Sequence, residues 1–325
     1  VTKAKARALS NIAFIKYWGN RDDALRLPHN STLSMNLAGL HTETTVEWDA
    51  ALPRDTLTLN GQQATPAALE RVSKHLGALR KRLGLSAFAQ VTSYNNFPMG
   101  AGIASSASAF AALTVAGVAA AGIEINEREL TTLARLGSGS ASRSVPAGFV
   151  QWHVGHDHAS SYAESIAAPT HWNLVDVIAI ISEEHKTTGS QAGHPTAASS
   201  DLQAGRLQGA EARFAACKQA VLARDFAAFA EIVELDSNLM HAVMMTSHPA
   251  LFYWQPATLE VMALVREWRQ AGREVCYTLD AGPNVHCICL ENDAEWVRNQ
   301  LEILSSVSGV RKAKAGEAAQ IISTN

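Results

Sequence analysis

A chain of 325 residues is long enough for one large domain or two medium ones. Its composition, 47% hydrophobic and 18% charged, is that of an ordinary globular protein. A net charge of −3 provides no basic field for nucleic acid or an anionic membrane, so anionic small molecules must be held by a few placed Lys and Arg. No apolar run approaches the ~20 residues of a membrane span. The opening VTKAKARALS lacks a signal-peptide core of the usual form, and a cytoplasmic protein is expected. Cys217, Cys276, Cys287 and Cys289 show no zinc spacing and are too few for a disulfide framework. Cys287 and Cys289 alternate within VHCICL and read as reduced thiols on one face of a strand.

In chain order, NIAFIKYW is a short apolar run, and TLSMNL and TETTVEW alternate like two strands. TPAALERVSKHLGALRKRLG reads as a helix, with Thr65 as N-cap and Pro66 at its first position. FAQVTSYNNF follows as a strand, ASSASAFAALTVAGVAAAG as a helix of small residues, and INERELTTLARLGSGS as a helix stopped by a Gly-Ser cluster. FVQWHVG and VDVIAIIS are strands, and SEEHKTTGSQAGHPTAASSD is a polar loop or linker. Three long helical patterns follow: LQAGRLQGAEARFAACKQAVLARD, FAAFAEIVELDSNLMHAVMM and PATLEVMALVREWRQAG. VCYTLDAG and VHCICLE form strand-turn-strand, ENDAEWVRNQLEILSS a helix, and KAKAGEAAQIIS a closing strand. Two α+β domains, 1–182 and 183–325, are expected to meet at a cleft. HVGHDH at 153–158 reads as a surface turn rather than a metal site, and Trp172, Trp254, Trp268 and Trp296 as core or interface filling.

Three stretches carry chemistry. In NNFPMGAGIASSASAFAALTVAG, from Asn95, the run Pro98, Met99, Gly100, Ala101, Gly102, Ile103 and Ala104 leads to Ser105 and Ser106 at a helix start. Glycines let backbone N–H groups approach phosphates, and the helix start adds unpaired donors and a favourable dipole. This is neither a Walker A loop nor a dinucleotide fingerprint, and a Gly-rich turn feeding a packed helix is the structural alternative. In LGSGSASRSVPAGFVQW, hydroxyls at Ser138, Ser140, Ser142 and Ser144 surround Arg143, whose planar fork suits a carboxylate or phosphate. A solvated serine loop is the alternative there. TLDAGPNVH places Asp280 at a strand end, able to orient a hydroxyl or accept its proton, or simply to make a turn.

Taken together, NIAFIKYWGNRDDALRLPHNSTLSMNL, NNFPMGAGIASSAS, SGSASRS with AGFVQW, and TLDAGPN resemble, in this order, the mevalonate-pathway decarboxylases. These belong to the superfamily of galactokinase, homoserine kinase, mevalonate kinase and phosphomevalonate kinase (GHMP). The resemblance spans essentially the whole chain. It implies an α+β fold of two domains, ribosomal-protein-S5-like then a ferredoxin-like α/β sandwich, and a homodimer. It also implies ATP, with Mg2+ bridging the phosphates and Ser106 a candidate ligand. The implied reaction phosphorylates the tertiary 3-hydroxyl of a 5-phosphorylated mevalonate and then expels phosphate and CO2. By position, Asp280 matches the essential aspartate, Arg143 the arginine on the carboxylate, and Asn11 and Lys16 residues at the reacting end. Tyr17, Trp18, Gly19, Asn20 and Arg71 match substrate-binding positions, as do Thr196 and the turn Ser138, Gly139, Ser140, Ala141, Ser142. Asn95 to Ser106 fall in the ATP loop. His194, beside these motifs, is a candidate donor to the terminal phosphate.

Two departures bear on the substrate. Enzymes acting on the 5-diphosphate usually read KYWGK, whereas this chain reads KYWGN. The family pattern K-x-S-S-R-x-G-M becomes KTTGSQAGH, and aligned through Thr196 its arginine falls on Ser190. Each lost charge-assisted hydrogen bond is worth roughly 1.5–3 kcal/mol. The expected substrate is therefore (R)-5-phosphomevalonate, giving isopentenyl phosphate, ADP, phosphate and CO2. The alternative is the 5-diphosphate, with Arg21, Arg26 or Lys186 supplying the missing charge. A 3-kinase that stops before decarboxylation and a non-catalytic sensor of nucleotide or intermediate are the remaining readings. Asp280, Arg143 and Lys16 together argue for the full reaction.

Overall fold

A computed structural model of the chain describes residues 2–97, 105–183 and 188–324. From the N-terminus, β1 (Thr2–Ile15) precedes a small hairpin of β2 (Asn20–Asp22) and β3 (Leu27–Pro28). Next comes β4 (Thr32–Asp49), one long strand where the alternation predicts two. Its register against β1 jumps from Leu9–His41 to Ser10–Leu37, and Gly39, at φ +87°, absorbs the bulge. β5 (Thr56–Leu59) and β6 (Gln62–Gln63) lead to α1 (Pro66–Leu83), whose first turn is capped by the Thr65 side chain as its sequence predicts. β7 (Phe88–Asn95), α2 (Ser105–Ala120) and α3 (Glu127–Gly137, capped by Asn126) follow. A 3-10 turn over Gly139–Ser144 then leads into β8 (Phe149–Trp152) and β9 (Ala163–Ala167).

These strands, except the β2–β3 hairpin, form a mixed sheet in the order β1, β4, β7, β5, β6, with β8 and β9 branching from the first part of β4. The helices α1 to α3 cover one face, where Leu76, Leu79, Phe110 and Leu133 pack on Val46, Val91 and Ala6. α2 is buried nearly all round, which its alanines permit because small side chains let backbones approach closely. The apolar periodicity of an amphipathic helix is accordingly missing from it.

The second half opens with β10 (Leu174–Ile180), followed by a segment expected to be loop. Its described part coils into α4 (Ser190–Gly193) and a 3-10 turn over His194–Ser199. The helix expected over 202–225 is broken at Gly209 into α5 (Gln203–Gln208) and α6 (Ala210–Ala223). Then come α7 (Phe226–Thr246), α8 (Pro256–Gln270), β11 (Val275–Thr278), β12 (Val285–Leu290), α9 (Glu291–Glu302), β13 (Gly309–Lys314) and β14 (Gln320–Thr324). The second sheet is antiparallel, in the order β11, β12, β10, β13. Every residue of β10 is buried because both of its faces are covered. Val175, Val177 and Ala179 face α8 and α9, while Leu174, Ile178 and Ile180 face α6, α7 and the first sheet.

The sheets divide the chain differently from the expected boundary at 182/183. β10 lies before that point yet belongs to the second sheet, and β14 lies after it yet pairs with β1. The single closing strand expected at 312–323 is two strands, one in each sheet. Between them Gly316 is pressed onto the first sheet, where an added Cβ would lie 2.2 Å from Leu9 Cδ1. All four cysteines are free and buried, and Trp172 is in the core. No described helix is long and apolar enough to cross a membrane.

Candidate active site

A cleft of about 530 Å3, open solvent at its mouth included, lies where the two sheets approach. Its walls come from the end of β1, the head of α2, the Gly139–Ser144 turn, α4 and the strand end after β11. Lys16, Tyr17, Trp18, Ser106, Ser140, Arg143, Ser190, His194 and Asp280 all line it. Residues from five separate stretches of sequence thus converge on one space.

Lys16 and Asp280 are brought together from opposite sheets. Lys16 Nζ donates to Asp280 Oδ1 at 2.8 Å; the lysine is 1% exposed, while the carboxylate keeps 24% of its side-chain surface open. Helix α7 anchors both strand ends. Asp236 accepts the Lys16 N–H at 2.7 Å, and the Ser237 hydroxyl accepts the Leu279 N–H at 3.0 Å. Burial lowers the Lys16 pKa, and the nearby Asp280 charge only partly restores it. Burial also pushes the Asp280 carboxyl up, but Lys16, His286 and Arg143 outweigh it and hold the group below its ordinary value. At neutral pH the aspartate is therefore ionised. His241, beside it, is held neutral by burial, its pKa down at about 3.

Arg143 is fixed from behind by neutral partners. Its guanidinium donates to Thr32 Oγ1 at 2.9 Å and to Asn11 Oδ1 at 3.3 Å, and Asn11 Nδ2 in turn holds Ser144 Oγ at 2.7 Å and Ser140 O at 3.2 Å. Among the described residues no carboxylate forms an ion pair with it, and burial lowers its pKa to about 10. Asn11 is thus a support for Arg143 rather than a wall of the cleft. Ser138 passes hydrogen bonds between Ser106 Oγ (3.2 Å) and Ser140 Oγ (3.3 Å), so the head of α2 and the turn share one hydroxyl chain. Gly139 must be glycine because a Cβ would stand 2.5 Å from the Tyr17 ring.

Other expected residues are placed differently. Ala141 sits in the apolar core and Ser142 turns its hydroxyl to Gly139 O at 2.8 Å, so both build the turn. Thr196 closes its own turn on Gly193 O at 2.8 Å. Asn95 accepts from Thr42 Oγ1, which also bonds Ser108 Oγ at 2.7 Å, and so braces the first turns of α2. Arg71 stands outside the cleft lining, its guanidinium 4.6 Å from the Phe110 ring centroid. His194 Nδ1 accepts the Gly19 N–H at 3.0 Å, which puts the proton of the neutral ring on Nε2. Asn20 accepts from the Tyr17 hydroxyl and donates to Asp23 Oδ1 at 2.8 Å. Pro98, Met99, Gly100, Ala101, Gly102, Ile103 and Ala104, and with them most of the expected ATP loop, lie outside the described residues, as does Lys186. Sequence reasoning missed Thr32, Asp236 and His286; a polar residue inside the apolar pattern of α7 was the available signal for Asp236.

Comparison with known proteins agrees with this layout. A family model for the diphosphomevalonate decarboxylase-like N-terminal domain matches residues 8–163, and one for the mevalonate 5-diphosphate decarboxylase C-terminal domain matches 176–322. The diphosphomevalonate decarboxylase mvd1 of Aspergillus fumigatus is 40% identical over 327 residues, covering 94% of this chain and 81% of that protein. That of Ganoderma lucidum is 39% identical, covering 87% and 77%. The crystal structure of mevalonate diphosphate decarboxylase from Staphylococcus aureus superposes with a TM-score of 0.94 at 34% identity, over 99% of each chain. A structure described as MDDEF in complex with MVAPP, AMPPCP and magnesium gives 0.93 at 36% identity, again over 99% of each chain. Fold and site together define a two-domain α+β enzyme of the GHMP kinase superfamily. Within that superfamily the chain belongs to the diphosphomevalonate decarboxylase family, whose members are ATP-dependent decarboxylases. The relatives' names specify the diphosphate ester, the alternative to the monophosphate expected from Asn20.

Proposed function

We propose that the protein catalyses ATP-dependent decarboxylation of mevalonate 5-diphosphate, releasing isopentenyl diphosphate, ADP, phosphate and CO2. The observation that carries this is the convergence of Asp280, Lys16, Arg143 and the serine-headed α2 on one cleft. The relatives' names supply the ester.

The residues present fit a nucleotide's phosphates. Ser106 faces the cleft from the head of a 16-residue helix with no acidic residue in its first turn, so the positive end of the dipole is unopposed. Magnesium bound with ATP would offset phosphate charge there, with Ser106 the residue placed to hold it.

The ionised Asp280 accepts a hydrogen bond from the tertiary 3-hydroxyl and takes its proton as that oxygen bonds to the γ-phosphorus and ADP departs. A carboxylate held below its ordinary pKa is a weak base, so it orients the alcohol first and gains the proton only as the new bond forms. Lys16, 2.8 Å from Asp280, places a cation beside the transferring phosphoryl group. Arg143 holds the substrate carboxylate with its fork. When the phosphorylated oxygen leaves with its bonding pair, the electrons of the bond to the carboxylate form the alkene, and CO2 is released.

A second reading, 5-phosphomevalonate as substrate, is favoured by Asn20 and Ser190, neutral residues where the family carries cations. A panel of free mevalonate, its 5-phosphate and its 5-diphosphate, with ADP and CO2 followed together, separates the readings. The proposal expects equal ADP and CO2 yields and the highest kcat/KM on the diphosphate. A preference for the monophosphate establishes the second reading, and ADP without CO2 rejects both.

A further inference from the structure

Two arginines approach the end of α3 from different elements. Arg26 Nε donates to Leu136 O at 2.9 Å, and Arg71 Nη2 reaches Gly137 O at 3.5 Å. These consecutive carbonyls immediately precede Ser138, Gly139 and Ser140, the turn whose hydroxyls connect to the cleft. Neither arginine has an ion-pair partner among the described residues, and Arg71 Nε is buried without an acceptor. Burial, with the neighbouring Arg26 charge, lowers the Arg71 pKa to about 10. Burial also pushes the Tyr17 hydroxyl up, and Arg26 is the charged group that opposes this most. Two cations are thus held near each other, and no carboxylate among the described residues pairs with either.

The backbone is set to keep Arg26 there. It adopts φ +49°, a left-handed conformation uncommon outside glycine, and the preceding Leu25 carbonyl is held by Arg135. Meanwhile Asn20 brings no charge and spends its amide on Tyr17 and Asp23. Capping of α3 alone would explain one N–H from each arginine, but it leaves Arg71 Nε buried without an acceptor among the described residues.

We propose that Arg26, which like Arg71 lies outside the cleft lining, is a specificity-determining residue that extends the cleft and, with Arg71, seats the terminal phosphate of the ester substrate, supplying the charge missing at position 20. This rests on the reading of the substrate as a phosphorylated mevalonate. Two forks offer a geometry that a single ammonium does not, because each can donate bidentately to phosphate oxygens. The neutral Asn20 is then a brace for Tyr17, and its lack of charge does not select the smaller ester.

The test compares wild type with Arg26→Leu and Arg26→Lys. Arg26→Leu is expected to raise KM for the diphosphate roughly ten- to a hundredfold, the range of one charge-assisted contact, with kcat and the KM for ATP unchanged. Arg26→Lys should recover part of that loss. Calorimetric binding of inorganic pyrophosphate, with the nucleotide site filled by a non-hydrolysable ATP analogue, gives a readout independent of turnover and should weaken by a similar factor in Arg26→Leu. If wild type turns over neither ester, the functional reading fails while pyrophosphate still reports on the seat. Unchanged KM and unchanged pyrophosphate binding, with only a lowered melting temperature, would reduce Arg26 to a helix cap and overturn the proposal.

Discussion

Lys16 and Asp280 set each other's ionisation, and their separate contributions can be told apart. Asp280→Asn removes the proton acceptor while keeping the shape, so kcat should fall by about 10²- to 10⁴-fold with the KM for ATP unchanged in steady-state assays. Lys16→Met acts differently. An ordinary Asp titrates near ~3.9, and the folded carboxyl lies below that, so wild-type Asp280 stays ionised above this range and loses its charge only as pH falls through the lowered value. Without Lys16 the strongest opposing charge and its hydrogen bond are gone, so the carboxyl pKa rises. The acid limb of the kcat–pH profile should therefore move to higher pH in Lys16→Met. A lower kcat with an unmoved acid limb would mean that Lys16 acts only on the phosphoryl group. Arg143→Lys should also be severe, because an ammonium cannot span Thr32 and Asn11 while facing the substrate.

The Gly139–Ser144 turn shows how an element carries a site. Tyr17 is held edge-on to Trp152 at 4.8 Å and lies 4.2 Å from the His194 ring, so it has nowhere to retreat from a Cβ at position 139. Gly139→Ala should lower kcat/KM on the order of a hundredfold by displacing Ser140 and Arg143, and destabilise the fold by about 1–3 kcal/mol. Full activity with an unchanged melting curve would show that the turn yields freely. This turn was legible in the sequence, because glycine and serine spacing around an arginine is a local pattern. α1 was legible for the same reason, through Thr65 and Pro66. The continuity of β4 was not, because Gly39 reads as a stop and becomes a bulge only when β1 pairs across it. The two destinations of the C-terminal strand were hidden likewise, since Gly316 is specified by its contact with Leu9 and Ala38. Lys16, Arg143 and Asp280 stood out through their motifs. Asp236 and His286 acquire their roles only from neighbours distant in sequence, and Arg26 stood only as one of three cations that could replace the missing charge.

At the scale of the whole molecule, one apolar cluster joins the first sheet to α6, α7 and β10, so both walls of the cleft share a core. Within the second sheet lies a charged pair: His286 Nδ1 meets Asp176 Oδ2 at 2.6 Å, with both side chains at most 1% exposed. Burial alone would push the imidazole pKa down, but Asp176 outweighs it and raises the value above the ordinary one. A histidine whose folded pKa is raised contributes stability that is complete below its unfolded pKa, about 6.5, and that fades as pH rises through the folded value. Denaturant unfolding of wild type should therefore show this contribution declining as pH is raised beyond about 6.5. The pair is also sparsely supported, since among the described residues Asp176 Oδ1 and His286 Nε2 have no hydrogen-bond partner. Asp176→Asn should cost about 3–5 kcal/mol at pH 6, because a buried imidazolium is then left without its counter-charge or must deprotonate. At a pH well above the raised folded value, where the neutral imidazole can accept or donate a hydrogen bond to the amide, the cost should be smaller, and the stability–pH curve of the variant correspondingly flatter. Equal destabilisation at both pH values would mean that His286 is already neutral in the folded protein, and that the charge helping to hold Asp280 ionised comes from Lys16 and Arg143 alone.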